Sequence, residues 1–338
     1  MFNNKTLLIT GGTGTFGRNF TRYVLNNYSV NKLIVFSRDE FKQYEMSFEF
    51  PTNKYPIRYF LGDIRDKERL FRAFDGVDYV VHSAALKQVT AAEYNPFKAV
   101  KTNIIGAQNI VEAAIDNGVK KVIALSTDKA VSPINLYGAT KLAMEKLFVS
   151  SSAYVGARST KFCVVRYGNV IGSRGSVLPF FLNLFKNKTL EFPVTDDRMT
   201  RFWITIQEAI EFVTQMLEYC MGGEVFIPKI PSMKVTDLVK AISERAYYKI
   251  IGIRVGEKIH ETLLTGDEAG TALECSYSGR DFFVVLPDYH LMPEALKKYK
   301  RCSPLPEDFN YRSDTNSDWI SVEQMRAFIN QYKKKYEM

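Results

Sequence analysis

Short, almost unbroken apolar runs recur through the first half of the chain, at residues 6–10, 32–37, 57–61, 77–83, 121–126 and 161–167. Runs of this length, rich in Val, Ile, Leu and Phe, predict strands buried on both faces. Between them, apolar residues at three- and four-residue spacing predict helices from Phe16 onward and at 39–49, 96–117 and 137–152. Alternating strands and helices with short connections predict a parallel sheet wound right-handedly on both faces, a doubly wound (Rossmann) α/β fold. Beyond residue 172 the alternation loosens. Helical patterns at 177–186, 206–218, 235–246 and 321–335 are separated by loops containing Pro and Gly. The expected organisation is a dinucleotide-binding domain over 1–171, open to strand exchange with the C-terminal part. A smaller substrate-binding lobe and tail follow over 172–338, closing over the strand C-termini.

Composition narrows the class without naming a function. The 338 residues are 46% apolar and 24% charged, as in an ordinary soluble globular protein. The net charge of +8 suits anionic ligands, but the basic residues are dispersed. The one dense run, Lys333-Lys334-Lys335, reads as a solvated helix end, so a nucleic-acid partner is not expected. No apolar run reaches the ~18 residues of a membrane span. The cysteines Cys163, Cys220, Cys275 and Cys302 show no CxxC spacing, and there are only three His. Neither a metal site nor a disulfide framework is expected, which fits a reducing cytoplasm.

Chemistry enters at the first turn. Gly11-Gly12-Thr13-Gly14-Thr15-Phe16-Gly17 follows a strand and opens a helix. A turn without Cβ atoms lets the backbone approach a pyrophosphate, and the helix N-terminus offers free N–H groups and a positive dipole end. The second strand ends Ser37-Arg38-Asp39. An acidic residue at this strand end favours the 2′-hydroxyl of NAD, whereas Arg38 favours the 2′-phosphate of NADP, with Lys42 one helical turn on. Asp39 also reads as a helix cap, and a plain surface role for Arg38 stays open. Asp63 and Ile64, after the third strand, would border the adenine.

The richest stretch is Ser126-Thr127-Asp128-Lys129, followed by Tyr137-Gly138-Ala139-Thr140-Lys141. Tyr and Lys four apart share one helix face. An isolated Tyr has a pKa of about 10, so ionising it at pH 7 requires about 4 kcal/mol, much of which a neighbouring cation removes. Tyr137 and Lys141 therefore suit removal of a hydroxyl proton while hydride leaves the same carbon for a nicotinamide. Thr127 is placed to hydrogen-bond that hydroxyl. Asp128 and Lys129 form a second proton-handling set, or else a surface ion pair.

This combination resembles the extended short-chain dehydrogenase/reductase superfamily, and Asn103 matches the Asn usual in its fourth helix. Longer blocks narrow the resemblance: 125–130, 133–141, 166–170, 172–177, 197–203 and 227–233. Together they look like the inverting UDP-N-acetylglucosamine 4,6-dehydratases that open pseudaminic acid biosynthesis. The resemblance implies that Tyr137 and NADP⁺ oxidise C4 of UDP-N-acetylglucosamine. Lys129 would then take the C5 proton and Asp128 would protonate the departing 6-hydroxyl, with NADP regenerated in each turnover. Retaining relatives carry Asp-Glu where this chain has Asp128-Lys129, which points to inversion at C5. A base must be neutral, so burial beside Lys141 and the nicotinamide is expected to lower the pKa of Lys129.

The same resemblance adds Ser83, Lys87 and Val170 to the cofactor site. It assigns Lys87, Asn169, Arg174, Gly175, Ser176, Val177, Arg201, Arg254 and Glu257 to the substrate, and it suggests a homo-oligomer. Gln88, Thr90 and Val255 depart from the family pattern, and residues 273–288 have no clear match. His82 and His260 read as structural. A UDP-sugar 4-epimerase or other NADP-dependent oxidoreductase shares the Tyr-Lys pair and is the main alternative. A non-catalytic NADP-sensing regulator is the second.

Overall fold

The computed structural model describes residues 1–287 and 297–335. Six parallel strands form its centre: β1 (Thr6–Thr10), β2 (Lys32–Ser37), β3 (Ile57–Leu61), β4 (Tyr79–His82), β5 (Lys121–Leu125) and β6 (Lys161–Val165). They lie in the order 3-2-1-4-5-6. The continuous apolar runs are explained by burial on both faces: Leu7, Leu8, Ile9, Val122, Ile123, Val164 and Val165 are all buried. The strand order reverses between β1 and β4. Loops leaving their C-terminal ends diverge there and open a crevice.

Beyond residue 171 the chain re-enters this sheet. Strand Val225–Pro228 pairs in parallel with β6, and strand Arg280–Val285 pairs antiparallel with Val225–Pro228. Strands Ala272–Tyr277 and Ser303–Pro304 complete a ten-stranded sheet. Ser278 and Gly279, both at positive φ, turn the hairpin between Ala272–Tyr277 and Arg280–Val285. Helix Ile206–Tyr219 packs against helix Thr15–Asn27, so it too belongs to the large layer. A separate core of Leu178, Phe181, Trp203, Leu238, Met325 and Ile329 holds the smaller lobe together.

Two local features differ from the sequence reading. The helix expected at 96–117 is interrupted: helix Pro96–Val100 passes through a wider π turn, Lys101–Ile105, into helix Gly106–Asp116. The wide turn carries Asn103, whose amide accepts from Leu86 N–H and donates to the Leu86 carbonyl and to Thr140 Oγ1. The extra residue in the turn re-aims a side chain that a regular helix would direct elsewhere. Second, Cys275 and Cys302 form a disulfide, where none was expected. They are 27 residues apart in sequence, a spacing with no motif value, and meet because Ser303–Pro304 pairs beside Ala272–Tyr277. Cys163 and Cys220 are buried free thiols. No described helix is long and apolar enough to cross a membrane.

Candidate active site

The crevice is floored by the turn after β1. Helix Thr15–Asn27 begins at Gly14 with no side-chain cap, leaving its first N–H groups free for an anion. A Cβ on Gly17 would lie 2.4 Å from Gly12 Cα and carbonyl oxygen, so only Gly lets the helix seat this close to the turn. Thr13 Oγ1 bonds Ser37 Oγ at 2.8 Å, tying the turn to the end of β2. Phe16 stacks on Phe20 behind it. This cradle fits a dinucleotide pyrophosphate, because backbone approach and free donors coincide there.

At the end of β2, Asp39 caps helix Glu40–Glu49 through Lys42 N–H and also pairs with the Lys42 ammonium. Arg38 is exposed and lies 3.9 Å from Asp63, whose carboxylate is held by Arg65 at 2.6 and 2.9 Å. Those bonds to Arg65 outweigh burial and hold the Asp63 carboxyl below its usual range. Arg38 thus keeps a guanidinium facing solvent beside the cradle. Ile64 is buried, with its carbonyl accepting from Asn109. Ser83 Oγ donates to the Thr10 carbonyl at 2.7 Å, joining β4 to β1 at the crevice.

The groups expected to react come from the end of β5 and the following helix. Thr127 opens a single tight turn, Asp128–Ala130, and its hydroxyl donates to Asp128 Oδ1 at 2.9 Å. Helix Leu136–Ser151 starts at Asn135, whose side chain accepts from Gly138 N–H. A Cβ on Gly138 would sit 2.0 Å from the Lys129 carbonyl oxygen. Gly beside Tyr137 therefore lets the helix and the Asp-Lys turn press together. Tyr137 and Lys141 are both buried on this face.

Lys141 Nζ donates to the Leu125 carbonyl at 2.5 Å and lies 3.2 Å from Met144 Sδ. Burial pulls its pKa down to about 8, partly opposed by Glu145. Burial and the Asp128 carboxylate push Tyr137 up to about 12, against the Lys129 ammonium and the Thr127 hydroxyl, so burial overrides the neighbouring cation that was expected to favour its phenolate. His82 is a core residue: it bonds Thr10, stacks on Phe148, and is held neutral by burial at a pKa of about 3. One turn along from Lys141, Glu145 pairs with Arg166, which also grips Glu268; Arg166 is only 2% exposed.

The environment of Lys129 corrects one expectation. Burial does act to lower its pKa, but Asp128 at 3.0 Å and Glu261 at 3.3 Å outweigh burial and hold it above its usual value. Lys129 is therefore charged here. Asp128 is fully buried, and its Oδ2 has no hydrogen-bond partner. Glu261 was not singled out in the sequence. It precedes strand Thr262–Leu264, and its only sequence signal was a carboxylate leading an apolar strand. Lys87 is exposed as a residue, but burial of its amine and the nearby Lys129 ammonium draw its pKa down.

The residues assigned to the substrate are distributed unevenly. Asn169 and Val170 form a short strand beside Thr200–Ile204, and the loop after it folds back over the crevice. Arg174 N–H donates to Thr15 Oγ1 at 3.2 Å, and the Gly175 carbonyl accepts from Gln88 at 3.5 Å. This loop therefore touches both the cofactor cradle and the Lys87 segment, while Ser176 and Val177 lead into helix Val177–Lys186. Arg201 is mostly buried, bonding the carbonyls of Thr200, Lys258 and Ile259. In this arrangement it braces the segment that carries Glu261. Arg254 is exposed, 3.9 Å from Glu257. His260 bonds Thr200 and approaches Asp314.

The Polysaccharide biosynthesis protein family matches residues 7–278 of this chain. The UDP-N-acetylglucosamine 4,6-dehydratase (inverting) of Campylobacter jejuni is 49% identical over 337 residues, covering 98% of each chain. The UDP-glucose 4-epimerase of Rickettsia akari is 41% identical over 279 residues, 80% of this chain and 81% of its own. The X-ray structure of Pen from Bacillus thuringiensis matches with a TM-score of 0.88 at 39% identity, over 98% of this chain and 99% of that one.

Proposed function

The chain belongs to the Polysaccharide biosynthesis protein family, within the extended short-chain dehydrogenases/reductases, and on that premise we propose that it is an NADP-dependent, inverting UDP-N-acetylglucosamine 4,6-dehydratase. The observation that carries the reading is the 3.0 Å contact between the partly exposed Lys129 and the buried Asp128 at the end of β5, beside Tyr137. Elimination of water needs a base and an acid together, and this contact offers both.

Gly11, Thr13, Gly14, Thr15, Phe16 and Gly17 would hold the cofactor phosphates, and Arg38 with Lys42 the 2′-phosphate. When bound, NADP supplies a hydride acceptor at C4 of the sugar and a hydride donor at C6 within one turnover. Tyr137 accepts the C4 hydroxyl proton as its phenolate, a form that the bound nicotinamide cation and the Lys141 ammonium would favour, with Thr127 hydrogen-bonding the same hydroxyl. The resulting ketone acidifies the C5 proton. A proton moving from Lys129 to Asp128 across their 3.0 Å contact creates a neutral amine and a neutral acid in one transfer. Lys129 then takes the C5 proton as Asp128 protonates the departing 6-hydroxyl, and both groups regain their resting charges. Protonation of C5 from solvent on the opposite face inverts that centre, and Tyr137 returns to solvent the proton it took from the C4 hydroxyl.

The sugar nucleotide would contact Lys87, Asn169, residues 174–177, Arg254 and Glu257, while Arg201, bonded to backbone carbonyls, would brace the site from behind. The product of this reading is a UDP-2-acetamido-2,6-dideoxy-4-keto-L-arabino-hexose, a first intermediate toward pseudaminic acid. A homo-oligomer belongs to the same reading, supported by the exposed aromatic side chains Tyr94 and Phe97. The test is incubation with UDP-N-acetylglucosamine and NADP⁺ followed by proton NMR. The expected product has lost water, carries a C6 methyl group and is inverted at C5. Lys129→Ala is expected to abolish dehydration while NADP stays bound, and unchanged turnover would refute the assigned base. The Rickettsia akari relative favours a second reading, 4-epimerisation; a 4-epimer that keeps its 6-hydroxyl would establish it instead.

A further inference from the structure

Glu261 has no part in the reaction as written, yet it reaches the group on which the reaction turns. Its Oε1 lies 3.3 Å from Lys129 Nζ, and the residue is 2% exposed. Its other oxygen, Oε2, is buried without a hydrogen-bond partner. Isolating a carboxylate in this way is unfavourable unless a nearby cation compensates.

The backbone holds Glu261 firmly. Its N–H donates to Ser313 Oγ at 2.9 Å, and its carbonyl accepts from Ser313 N–H at 2.9 Å. Ser313 Oγ also bonds Thr200 Oγ1 at 2.7 Å. Arg201 bonds the carbonyls of Lys258 and Ile259 just before Glu261, and its Nε lies 3.9 Å from Glu261 Oε1. Thus strand Thr200–Ile204 and Ser313 hold the backbone that carries this carboxylate.

We propose that Glu261 is a positioning residue for the proton-transfer pair, holding the Lys129 amine in line between Asp128 and the sugar and setting its basicity. The inference rests on the dehydratase reading for its consequence and on the geometry alone for the contact. Among the described residues, six charged or titratable groups act on the Lys129 amine. Asp128 on its own turn and Glu261 draw a proton toward it; Arg201, Lys258 from the preceding loop and Lys87 after β4 repel one; Tyr137 on the neighbouring helix senses its charge. Of the two carboxylates, only Glu261 has no chemical step of its own.

The sign of its effect follows. The active pair carries one proton between Asp128 and Lys129. Gaining a second or losing the first ends activity, and the anionic Glu261 favours the more protonated form at each boundary. Removing that charge moves both boundaries to lower pH.

The test is Glu261→Gln, nearly the same shape without the charge. Folding is checked by circular dichroism and NADP binding. In the ligand-free protein, the pH dependence of Lys129 acetylation by acetic anhydride, read by mass spectrometry, is expected to move down by about one pH unit or more. In turnover with UDP-N-acetylglucosamine, the acid limb of kcat is expected to move the same way. The value of kcat should fall about ten-fold or more while KM changes less than about two-fold. A structural role alone would lower activity without moving either profile, and profiles that stay in place overturn the proposal. If Glu261→Gln does not fold, Glu261→Asp is read instead, with a smaller shift in the same direction expected and no shift overturning it. Wild-type protein that fails to dehydrate the sugar would refute the dehydratase reading, while the acetylation shift would still decide the role of Glu261.

Discussion

Lys141 predicts a conflict between stability and chemistry that can be measured. Its ammonium is 3% exposed, with the Leu125 carbonyl and the Met144 sulfur against it. Burial brings its pKa from 10.5 to about 8. At 1.36 kcal/mol per pH unit this corresponds to about 3 kcal/mol of destabilisation when the group is charged. Between those two values the unfolded chain binds more protons than the folded one, so folding stability contributed by this group rises with pH. The penalty is fully present below about 8 and gone above 10.5. Lys141→Met removes the buried charge at similar size but leaves the Leu125 carbonyl without this donor, a loss of about 1 kcal/mol. The variant is therefore expected to be more stable than wild type by about 2 kcal/mol at pH 7, and inactive. Urea unfolding followed by circular dichroism at pH 7 and pH 10 measures the gap. Only residue 141 differs, so other titrations cancel, and the difference should move by about 2.5 kcal/mol toward wild type between the two pH values, leaving the variant no more stable than wild type at pH 10. A gap that is the same at both would refute the claim that Lys141 is held at a depressed pKa by burial.

Other expectations concern the supports of the site. Arg166→Met strands the buried Glu145 and the half-buried Glu268, and should destabilise the fold by about 3–5 kcal/mol in thermal or urea unfolding. Adding Glu145→Gln and Glu268→Gln should recover much of that loss, and a single-variant effect below about 1 kcal/mol would count against a structural ion triad. Arg38→Ala is expected to weaken NADP binding about ten-fold or more in calorimetry while leaving NAD binding nearly unchanged. Equal weakening of both would show that Arg38 does not read the 2′-phosphate.

The large sheet was readable from the sequence because each strand of its first half is a continuous apolar run. Such runs have one stable use, burial between two helical layers. The Gly-rich turn and the 126–141 segment were readable because their residue spacing is local: one turn and one helix bring the groups together. The ten-stranded extent of the sheet was not readable. Strands Val225–Pro228 and Ala272–Tyr277 are as long as those of the first half, but nothing local says which edge they join. The Cys275–Cys302 pairing depends on that edge and was hidden for the same reason. Arg201 is a related case: its sequence position suggests a free cation, but its partners in space are backbone carbonyls.

By itself, the sequence determined the doubly wound architecture, the cofactor turn and the Tyr-Lys and Asp-Lys sets, all carried by patterns within about fifteen residues of chain. Tertiary structure alone decided the charge of Lys129. The sequence places burial and other cations near it, which lower an amine's pKa. The fold adds Glu261 from 132 positions away, and the energy of an ion pair depends on separation in space rather than along the chain. Two carboxylates within 3.3 Å outweigh burial, so the amine expected to be neutral is held as a cation until Asp128 takes its proton.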